Sequence, residues 1–254
     1  MCLILVAWRS TAEFPCVIAA NRDEFHARAA EPAHWWSAAE PPILAGKDLQ
    51  AGGTWLGMTR SGRFAALTNY RDPEQRRPNT PSRGTLVTSI LQSQANTDEI
   101  LERLHREGPA YNGFNMLFSD GERLAIYESM SGAGRELQPG IYGLSNHLLD
   151  TPWPKVQAAK SRLSAALSDL PDTQSALALL RDDELAPDHS LPKTGMSVEW
   201  ERLLSSAFIR SPTYGTRCST VVQLARGGHA SFDEWTWDTV GQETARVSLR
   251  FDLQ

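Results

Sequence analysis

The sequence predicts an α+β fold in which helices cover antiparallel β-sheet. Strand-like segments occur in adjacent runs separated by helical segments, and this order favours antiparallel pairing over alternating βαβ units. The 254 residues are 41% hydrophobic and 22% charged, which is typical of a folded globular chain with a sizeable core. The sequence contains no internal repeat or dividing linker, so we expect one domain over residues 1–254.

In the first half of the chain, apolar runs and alternation predict four strands, followed by two helices. The strands are predicted over residues 2–8, 16–20, 54–59 and 63–69. The helices have apolar residues at helical spacing and are predicted over residues 85–94 and 98–106. Residues 28–53 are rich in Pro, Gly and Trp, and we expect them to be irregular.

In the second half, strand patterns return on both sides of a helical block. The strands are predicted over residues 114–119, 124–128, 141–145, 220–224, 230–237 and 244–251. The helices are predicted over residues 154–170, 174–181 and 198–208. Pro154 begins the first of them, a position that favours proline because the missing N–H needs no partner there.

The overall charge and the apolar runs exclude several classes of function. The formal net charge of −5 argues against nucleic acid as a partner, because nucleic-acid-binding surfaces are basic. The first apolar run is too short for a signal peptide, and no run approaches the roughly 20 apolar residues of a membrane helix. Three cysteines cannot form a disulfide framework, so we expect a cytoplasmic protein. The excess of 21 Arg over 4 Lys is typical of a GC-rich bacterial genome.

The common catalytic and nucleotide-binding motifs are missing from the sequence. It has no G-x-S-x-G elbow, Walker loop, G-x-G-x-x-G fingerprint or H-E-x-x-H zinc motif. The six histidines are scattered without a supporting pattern of cysteines or carboxylates. We therefore expect neither a bound metal nor a resident cofactor.

Cys2 is the candidate nucleophile, because removal of the initiator methionine favours a small second residue. Removal would leave a thiol and a free α-amine on the same residue. An α-amine has a pKa of about 7.7–8.0, so it can serve as a general base near neutral pH. Cys2 would then supply both nucleophile and base. The alternative is that Cys2 only packs in a buried strand, as cysteines often do.

A polar cluster of Asn21, Arg22, Asp23 and Glu24 follows the second predicted strand. An antiparallel hairpin would bring this cluster back to the level of Cys2. There, Arg22 could lower the pKa of the thiol or hold a carboxylate, and Asp23 could orient the Cys2 amine. The alternative is a solvated turn whose ion pairs contribute little.

A second group of polar residues, in the Pro-rich segment after residue 69, contains four arginines: Arg71, Arg76, Arg77 and Arg83. They could bind the phosphate or carboxylate of a charged ligand. A solvated loop is the alternative, and the pattern favours it.

The Met-Cys-apolar start followed by Asn-Arg-Asp-Glu resembles the NRDE family, also called the transport-and-Golgi-organisation family. Further matching segments are residues 52–57 (GGTWLG), 67–71 (LTNYR), 82–84 (SRG), 111–115 (YNGFN), 143–146 (GLSN) and 214–217 (YGTR). They follow in order across most of the chain, so the resemblance is specific. The family in turn resembles N-terminal-nucleophile cysteine hydrolases of the penicillin V acylase and bile-salt hydrolase type.

The resemblance implies a four-layer αββα sandwich, with two antiparallel sheets between helical layers. It implies that Cys2 is the nucleophile and that an Arg and an Asp lie near its thiol. Which of the four residues from Asn21 to Glu24 takes each role stays open. Asn69 and Asn146 fall near the positions that stabilise the oxyanion, and Arg217 falls near a late arginine of the acylase pocket.

Two functions follow from the resemblance. The first is a cysteine amidohydrolase that cleaves a non-peptide C–N amide bond of a small molecule, with Cys2 as nucleophile after removal of Met1. The alternative is a carrier or trafficking protein on the same scaffold, whose ligand is haem or an acyl-lipid. Haem would then be a transported ligand rather than a cofactor. The expected partner is a small-molecule amide or acyl ligand, with haem as a further possible cargo of the carrier, and the sequence does not indicate an oligomeric state.

Overall fold

The computed structural model describes residues 2–254, and Met1 lies outside the described residues. The strands are β1 (Cys2–Trp8), β2 (Cys16–Phe25), β3 (Ala30–Trp36), β4 (Ile43–Asp48), β5 (Leu56–Thr59), β6 (Phe64–Asn69), β7 (Phe114–Ser119), β8 (Leu124–Glu128), β9 (Ala133–Glu136), β10 (Gly140–Leu144), β11 (Tyr214–Leu224), β12 (His229–Trp237) and β13 (Glu243–Asp252). The helices are α1 (Gly84–Gln92), α2 (Thr97–Glu107), α3 (Pro154–Ala166), α4 (Gln174–Leu180) and α5 (Val198–Leu203). Short 3₁₀ turns cover Gly108–Ala110, Leu167–Asp169 and Asp188–Ser190.

The strands form two antiparallel sheets. One has six strands in the order β10-β1-β2-β11-β12-β13, and the other has seven in the order β3-β4-β5-β6-β7-β8-β9. Every pairing within them is antiparallel. The antiparallel α+β prediction is therefore confirmed.

Three apolar clusters place the layers. The cluster between the sheets combines Ile4 and Val6 of β1 with residues such as Leu56 and Leu117 of the second sheet. A second cluster packs α3 and α4 on the six-stranded sheet, and a third packs α1 and α2 on the seven-stranded sheet. The order of layers is helix, sheet, sheet, helix, which confirms the predicted αββα sandwich.

Strand β1 explains why its sequence is continuously apolar instead of alternating. Leu3 and Leu5 face the helices, whereas Ile4 and Val6 face the other sheet, so both faces of the strand are buried. Burial of both faces, together with pairing to β10 on one side and β2 on the other, fixes β1 within its sheet.

The prediction that residues 28–53 are irregular is wrong, because they contain β3 and β4. Strand β3 is the edge strand of its sheet, and its register shifts between Glu31 and His34. An edge position tolerates Pro32, which has no N–H to donate, and a bulge interrupts the alternation that would reveal a strand. Strand β9 was also missed, because all four of its residues are exposed and carry no apolar pattern.

The second strand is longer than predicted, since β2 runs through the Asn21–Glu24 cluster to Phe25. The cluster is therefore part of a strand rather than a turn that follows one. Cys2 lies opposite Arg22 in the β1–β2 register, so the hairpin brings the two residues together as expected. Across residues 2–254, no helix is both long and apolar enough to cross a membrane.

Candidate active site

A cavity of about 360 Å³ opens beside Cys2, at the end of the two sheets where β1 begins. Its wall comes from both sheets and from the arginine loop, which we define as residues 71–83 together with Gly84 at the start of α1. The lining is mostly polar, and Trp55 and Leu67 supply its larger apolar surfaces. The cavity is within the size range of small-molecule sites, although it is more polar than most of them.

Cys2 is partly exposed and is the one cysteine of the described chain that lines this cavity, since Cys16 and Cys218 are buried elsewhere. The Ser145 hydroxyl donates to the Cys2 carbonyl oxygen at 3.1 Å, which fixes the backbone. Burial raises the pKa of the Cys2 thiol, and the nearby Asp23 carboxylate raises it further. The thiol is therefore protonated at neutral pH, and it needs a base in order to react.

Arg22 points between the sheets on the same face as Cys2. Its guanidinium carbon lies 4.3 Å from the centre of the Trp55 ring, a cation–π contact that connects the two sheets. The side chain is buried, with 6% of its surface exposed, and it lines the cavity. Its positive charge also lowers the pKa of the Cys2 thiol, but by less than burial raises it.

Asp23 is the most deeply placed acid of the site, with 1% of its surface exposed. Its Oδ1 accepts a hydrogen bond from the Thr216 hydroxyl at 2.7 Å, and its backbone carbonyl accepts one from the Tyr214 hydroxyl at 2.9 Å. Burial raises the pKa of the Asp23 carboxyl, and the buried Lys155 ammonium opposes this rise. Burial also lowers the pKa of Lys155 to about 8.

Asn69 and Asn146 lie together, but only Asn69 lines the cavity. The Asn146 Nδ2 donates to the Asn69 carbonyl oxygen at 2.8 Å, and the Asn146 Oδ1 accepts from the Ser145 hydroxyl at 3.3 Å. The Asn146 backbone carbonyl also accepts a hydrogen bond from the Arg71 N–H at 2.7 Å. The amide of Asn146 is thus engaged in holding the end of β6, where Asn69 stands.

The structure does not bring Asn21 or Arg217 into the cavity with the other candidates. The Asn21 Nδ2 donates to the carbonyls of Leu180 and Ala207 on the helical side of the sheet, at 2.7 and 2.8 Å. Successive strand residues face opposite sides, so Asn21 points away from the face of Arg22. The Arg217 guanidinium donates to the carbonyls of Phe25, His26 and Arg28 and fixes the turn after β2.

The arginine loop lines the cavity on its inner side, whereas residues 73–79, Arg76 and Arg77 among them, are also exposed to solvent. The Asn112 side chain accepts from the Arg77 N–H at 2.8 Å and donates to its carbonyl at 2.9 Å. Arg83 donates to the Gly113 carbonyl at 2.9 Å. Three of the four arginines noted in the sequence, Arg76, Arg77 and Arg83, line the cavity, whereas Arg71 is buried in an ion pair with Glu201.

The sequence did not indicate the contacts of two residues of the site, even though segment 214–217, which contains Thr216, is one of the matching segments. Lys155 lies inside an amphipathic helix pattern, and Thr216 lies in a segment that becomes part of a strand only through its pairing with β2. The arginine loop gave a signal, but the sequence could not show which way it folds. No three His, Cys, Asp or Glu side chains among residues 2–254 are grouped as metal ligands.

The fold class is an αββα sandwich of two antiparallel sheets, in which a partly exposed cysteine at the start of a strand faces a cavity. The structure is similar to that of the mutant C2A conjugated bile acid hydrolase from Clostridium perfringens, with a TM-score of 0.55. The match covers 98% of this chain and 92% of that one at 10% sequence identity, so it shows the fold alone.

Within that fold class, the chain belongs to the family described as Transport and Golgi organisation 2, whose family model matches residues 1–239. The Transport and Golgi organization protein 2 homolog of Bos taurus is 36% identical over 260 residues, and the match covers 92% of each chain. The homolog of Mus musculus is 34% identical over 256 residues with the same coverage. The resemblance drawn from the Asn21–Glu24 cluster and its companion segments is confirmed.

Proposed function

We propose that this protein is a cysteine amidohydrolase that cleaves a non-peptide C–N amide bond of a small molecule, with Cys2 as nucleophile after removal of Met1. The observation that carries the proposal is the position of Cys2, which is partly exposed in a polar cavity at the first residue of a rigid central strand. Met1 lies outside the described residues, so its removal is part of the proposal.

The raised pKa of the thiol supports a mechanism in which Cys2 has its own base. Burial keeps the thiol protonated, so attack requires a group that takes its proton. The α-amine of Cys2, once freed, is joined to the same carbon skeleton and titrates near neutral pH. Asp23 lies close enough to raise the pKa of the thiol, which supports the proposal that its carboxylate holds that amine in position.

In the acylation step, the Cys2 Sγ attacks the substrate carbonyl carbon while the thiol proton passes to the α-amine. The new C–S bond pushes the carbonyl electrons onto oxygen and gives a tetrahedral oxyanion. When the oxyanion collapses, the C–N bond breaks, and the ammonium of Cys2 gives its proton to the leaving amine. The products are a free amine and a thioester on Cys2.

In the deacylation step, water attacks the thioester carbon and gives a proton to the α-amine. Collapse of the second tetrahedral intermediate breaks the C–S bond, and the sulfur regains a proton from the ammonium. The carboxylic acid leaves, and the thiol and the amine are restored. In both steps Asn69 is the proposed donor to the oxyanion, because its side chain lines the cavity beside Cys2.

The remaining predicted residues act through others in this proposal. Asn146 is a positioning residue that holds the Asn69 carbonyl. Asn21 joins the sheet to the helical layer, and Arg217 fixes the turn after β2. Arg22 lies beside Cys2 and is proposed to contact the substrate.

The test is a screen of N-acyl amides with fluorescence detection of the released amine, comparing wild type with Cys2→Ala. We expect hydrolysis by wild type and none above background by Cys2→Ala. The matched control is Cys16→Ala, which removes a thiol from the core at the other end of the β1–β2 hairpin and should keep the wild-type rate per folded molecule. Equal rates for wild type and Cys2→Ala would refute Cys2 as the nucleophile.

The names of the animal relatives refer to transport, and they favour a second candidate. In it, the protein carries haem or an acyl-lipid in the same cavity without cleaving it. The two candidates differ in how they depend on Cys2. Titration with haemin or with a fatty-acyl lipid, followed by spectroscopy or calorimetry, separates them. Binding that survives Cys2→Ala, together with no amide turnover by wild type, would favour the carrier.

A further inference from the structure

The charge of the cavity is unbalanced in favour of cations. Five arginines line it against three acids, Asp23, Glu24 and Asp48. Arg28 accounts for two of the acids, since it contacts Asp48 at 2.7 Å and Glu24 at 3.9 Å. The third acid, Asp23, accepts a hydrogen bond from Thr216 and lies near the ammonium of Lys155. Its negative charge is therefore balanced in part by a cation that does not line the cavity.

Arg77 is engaged elsewhere, because its guanidinium donates to the carbonyls of Pro109 and Tyr111. Three cationic side chains then line the cavity without an acidic partner: the buried Arg22, the half-buried Arg83 and the exposed Arg76. Arg83 uses one guanidinium donor on the Gly113 carbonyl and has others left for a ligand. Only 6% of the surface of Arg22 is exposed. Within residues 2–254, its guanidinium contacts the Trp55 ring but donates no hydrogen bond. A buried guanidinium costs stability unless something satisfies its donors.

Arg76 and Arg83 carry like charges close together on the arginine loop. The pKa of Arg83 is lowered to about 10, first by burial and then by repulsion from Arg76, whereas Glu24 opposes this effect. The loop backbone is held in place by the two hydrogen bonds between Asn112 and the Arg77 backbone. An anion placed among the three guanidinium groups would remove both the repulsion and the unmet donors.

We infer that Arg76 and Arg83, together with the buried Arg22, form a binding site for an anionic group of the ligand, a carboxylate or a phosphate, in the cavity that contains Cys2. Guanidinium groups suit both anions because their planar N–H pairs match two oxygen atoms at once. The inference deepens the proposed function and rests on it for the identity of the cavity: the scissile amide is at Cys2, and the charged end of the same molecule is at the arginines.

This assignment narrows the substrate class. A neutral N-acyl amide would leave the buried Arg22 and the half-buried Arg83 without an anion in a cavity of about 360 Å³, with the exposed Arg76 at its edge. An acyl amide of an amino acid or of a phosphorylated amine would instead pair them, and its charge would orient the amide. Arg76 and Arg83 are thus specificity-determining residues, and their contribution is to binding.

The experiment uses three probes that share an acyl chain: N-hexanoylglycine, N-hexanoyl-phosphoethanolamine and the uncharged N-hexanoylglycinamide. Dissociation constants are measured by calorimetry on full-length Cys2→Ala protein, which cannot consume the probes through Cys2. We expect at least one anionic probe to bind tenfold or more tightly than the amide, and the stronger of the two identifies carboxylate or phosphate as the preferred group. In Arg76→Gln/Arg83→Gln the preference should fall to threefold or less.

The matched control is Arg106→Gln, which removes an exposed arginine of α2 outside the cavity and should keep the full preference. Any of three results would overturn the anion site. They are equal affinity for charged and uncharged probes, an unchanged preference in the double variant, and no binding of any probe at 5 mM ligand (about the weakest useful affinity). Amine release by wild type is measured in parallel. Anion-selective binding without amine release would refute the amidase activity and support the anion site. Hydrolysis with no preference for anionic substrates would support the amidase activity and refute the anion site.

Discussion

The environment of Cys2 combines features that hold the thiol ready but unreactive. Burial raises its pKa, Arg22 on the facing strand opposes that rise, and Asp23 beside it adds to the rise. A thiol in these surroundings is a weak nucleophile until a base takes its proton. Catalysis by Cys2 therefore depends on the groups that position the base, and Asp23 is the first of them.

We expect Asp23→Asn to lower kcat for amide hydrolysis by about 10²–10⁴-fold, a range typical of losing a group needed for proton transfer. KM should change by less than threefold, because Asp23 is directed at Thr216 and the proposed amine rather than at the cavity arginines. Steady-state kinetics on the best substrate of the screen measure both. Thr216→Val is the companion variant, and a smaller loss of kcat is expected because it removes only one hydrogen bond to the carboxylate. A wild-type kcat in Asp23→Asn would exclude the positioning role.

Glu234 is a buried acid whose ionisation should change the stability of the fold with pH. It is buried in β12, where its carboxylate accepts hydrogen bonds from the Ala33 N–H at 2.7 Å and the Thr220 hydroxyl at 3.2 Å. Burial raises its pKa above the ordinary value of 4.5. The protonated form is thus favoured by folding, so its contribution to stability is full below pH 4.5 and is lost as the pH rises through the folded-state pKa.

Glu234→Gln removes this pH dependence while leaving an amide that can bond both partners. We expect the variant to unfold at higher urea concentration than wild type at pH 7, and the difference to shrink towards zero at pH 4. The control is Glu243→Gln on the neighbouring strand β13, where the exposed side chain should show no such trend. A stability difference that stays constant between pH 4 and pH 7 would count against the raised pKa.

At the scale of elements, the site depends on how closely the arginine loop approaches the second sheet. Gly53 and Gly84 are in backbone contact, and a Cβ built on Gly53 would lie 2.4 Å from the Gly84 carbonyl carbon. Any side chain there must push α1 and the arginine loop away from β5. The two glycines in the matching segments of the sequence thus have a geometric purpose, which is to bring Arg83 to the cavity.

We expect Gly53→Ala to lower the free energy of unfolding by about 1–3 kcal/mol, the usual cost of inserting a methyl group where the backbone must shift. It should also weaken binding of the anionic probes, because Arg83 moves with the loop. Urea denaturation and calorimetry measure the two effects. Gly227→Ala is the control, since its Cβ would make an ordinary contact 3.4 Å from the His229 ring. An unaffected Gly53→Ala protein would show that the loop tolerates displacement.

The elements also show what the sequence can and cannot predict. Strand β1 and helix α3 were predicted because each has a dense apolar pattern on the faces that pack. The continuation of β2 through Asn21–Glu24 was not, because its polar residues are buried by partners from distant parts of the chain. Asn21, for example, is satisfied by carbonyls about 160 and 186 residues away along the sequence.

At the scale of the whole molecule, a buried ion pair connects the arginine loop to the helical layer. The Arg71 Nη1 lies 2.5 Å from the Glu201 Oε2 of α5, and both side chains are almost fully buried. Glu201 also accepts hydrogen bonds from the Thr194 N–H and hydroxyl. The ion pair therefore joins the arginine loop to a helix 130 residues further along the chain, and Thr194 adds the segment just before that helix. None of these residues shows a sequence pattern that predicts the pairing.

We expect Glu201→Gln to lower the free energy of unfolding by about 3–5 kcal/mol, because it leaves the Arg71 charge buried without its anionic partner. Chemical denaturation gives the value. Glu107→Gln breaks an exposed ion pair with Arg106 and should leave stability unchanged. A loss in Glu201→Gln no larger than that in Glu107→Gln would mean that the buried pair contributes little to holding the loop.

The central claim is that Cys2, freed of Met1, forms a thioester with the acyl group of an amide substrate. The most direct measurement is intact-mass spectrometry with peptide mapping on wild-type protein, quenched in acid during turnover of the best anionic amide. We expect a chain that begins at Cys2 and carries one acyl group on that residue. We expect no adduct in Cys2→Ala. Two results would contradict the thioester mechanism. One is active protein that retains Met1, and the other is turnover without an adduct on Cys2 at saturating substrate, where the acid quench stabilises a thioester.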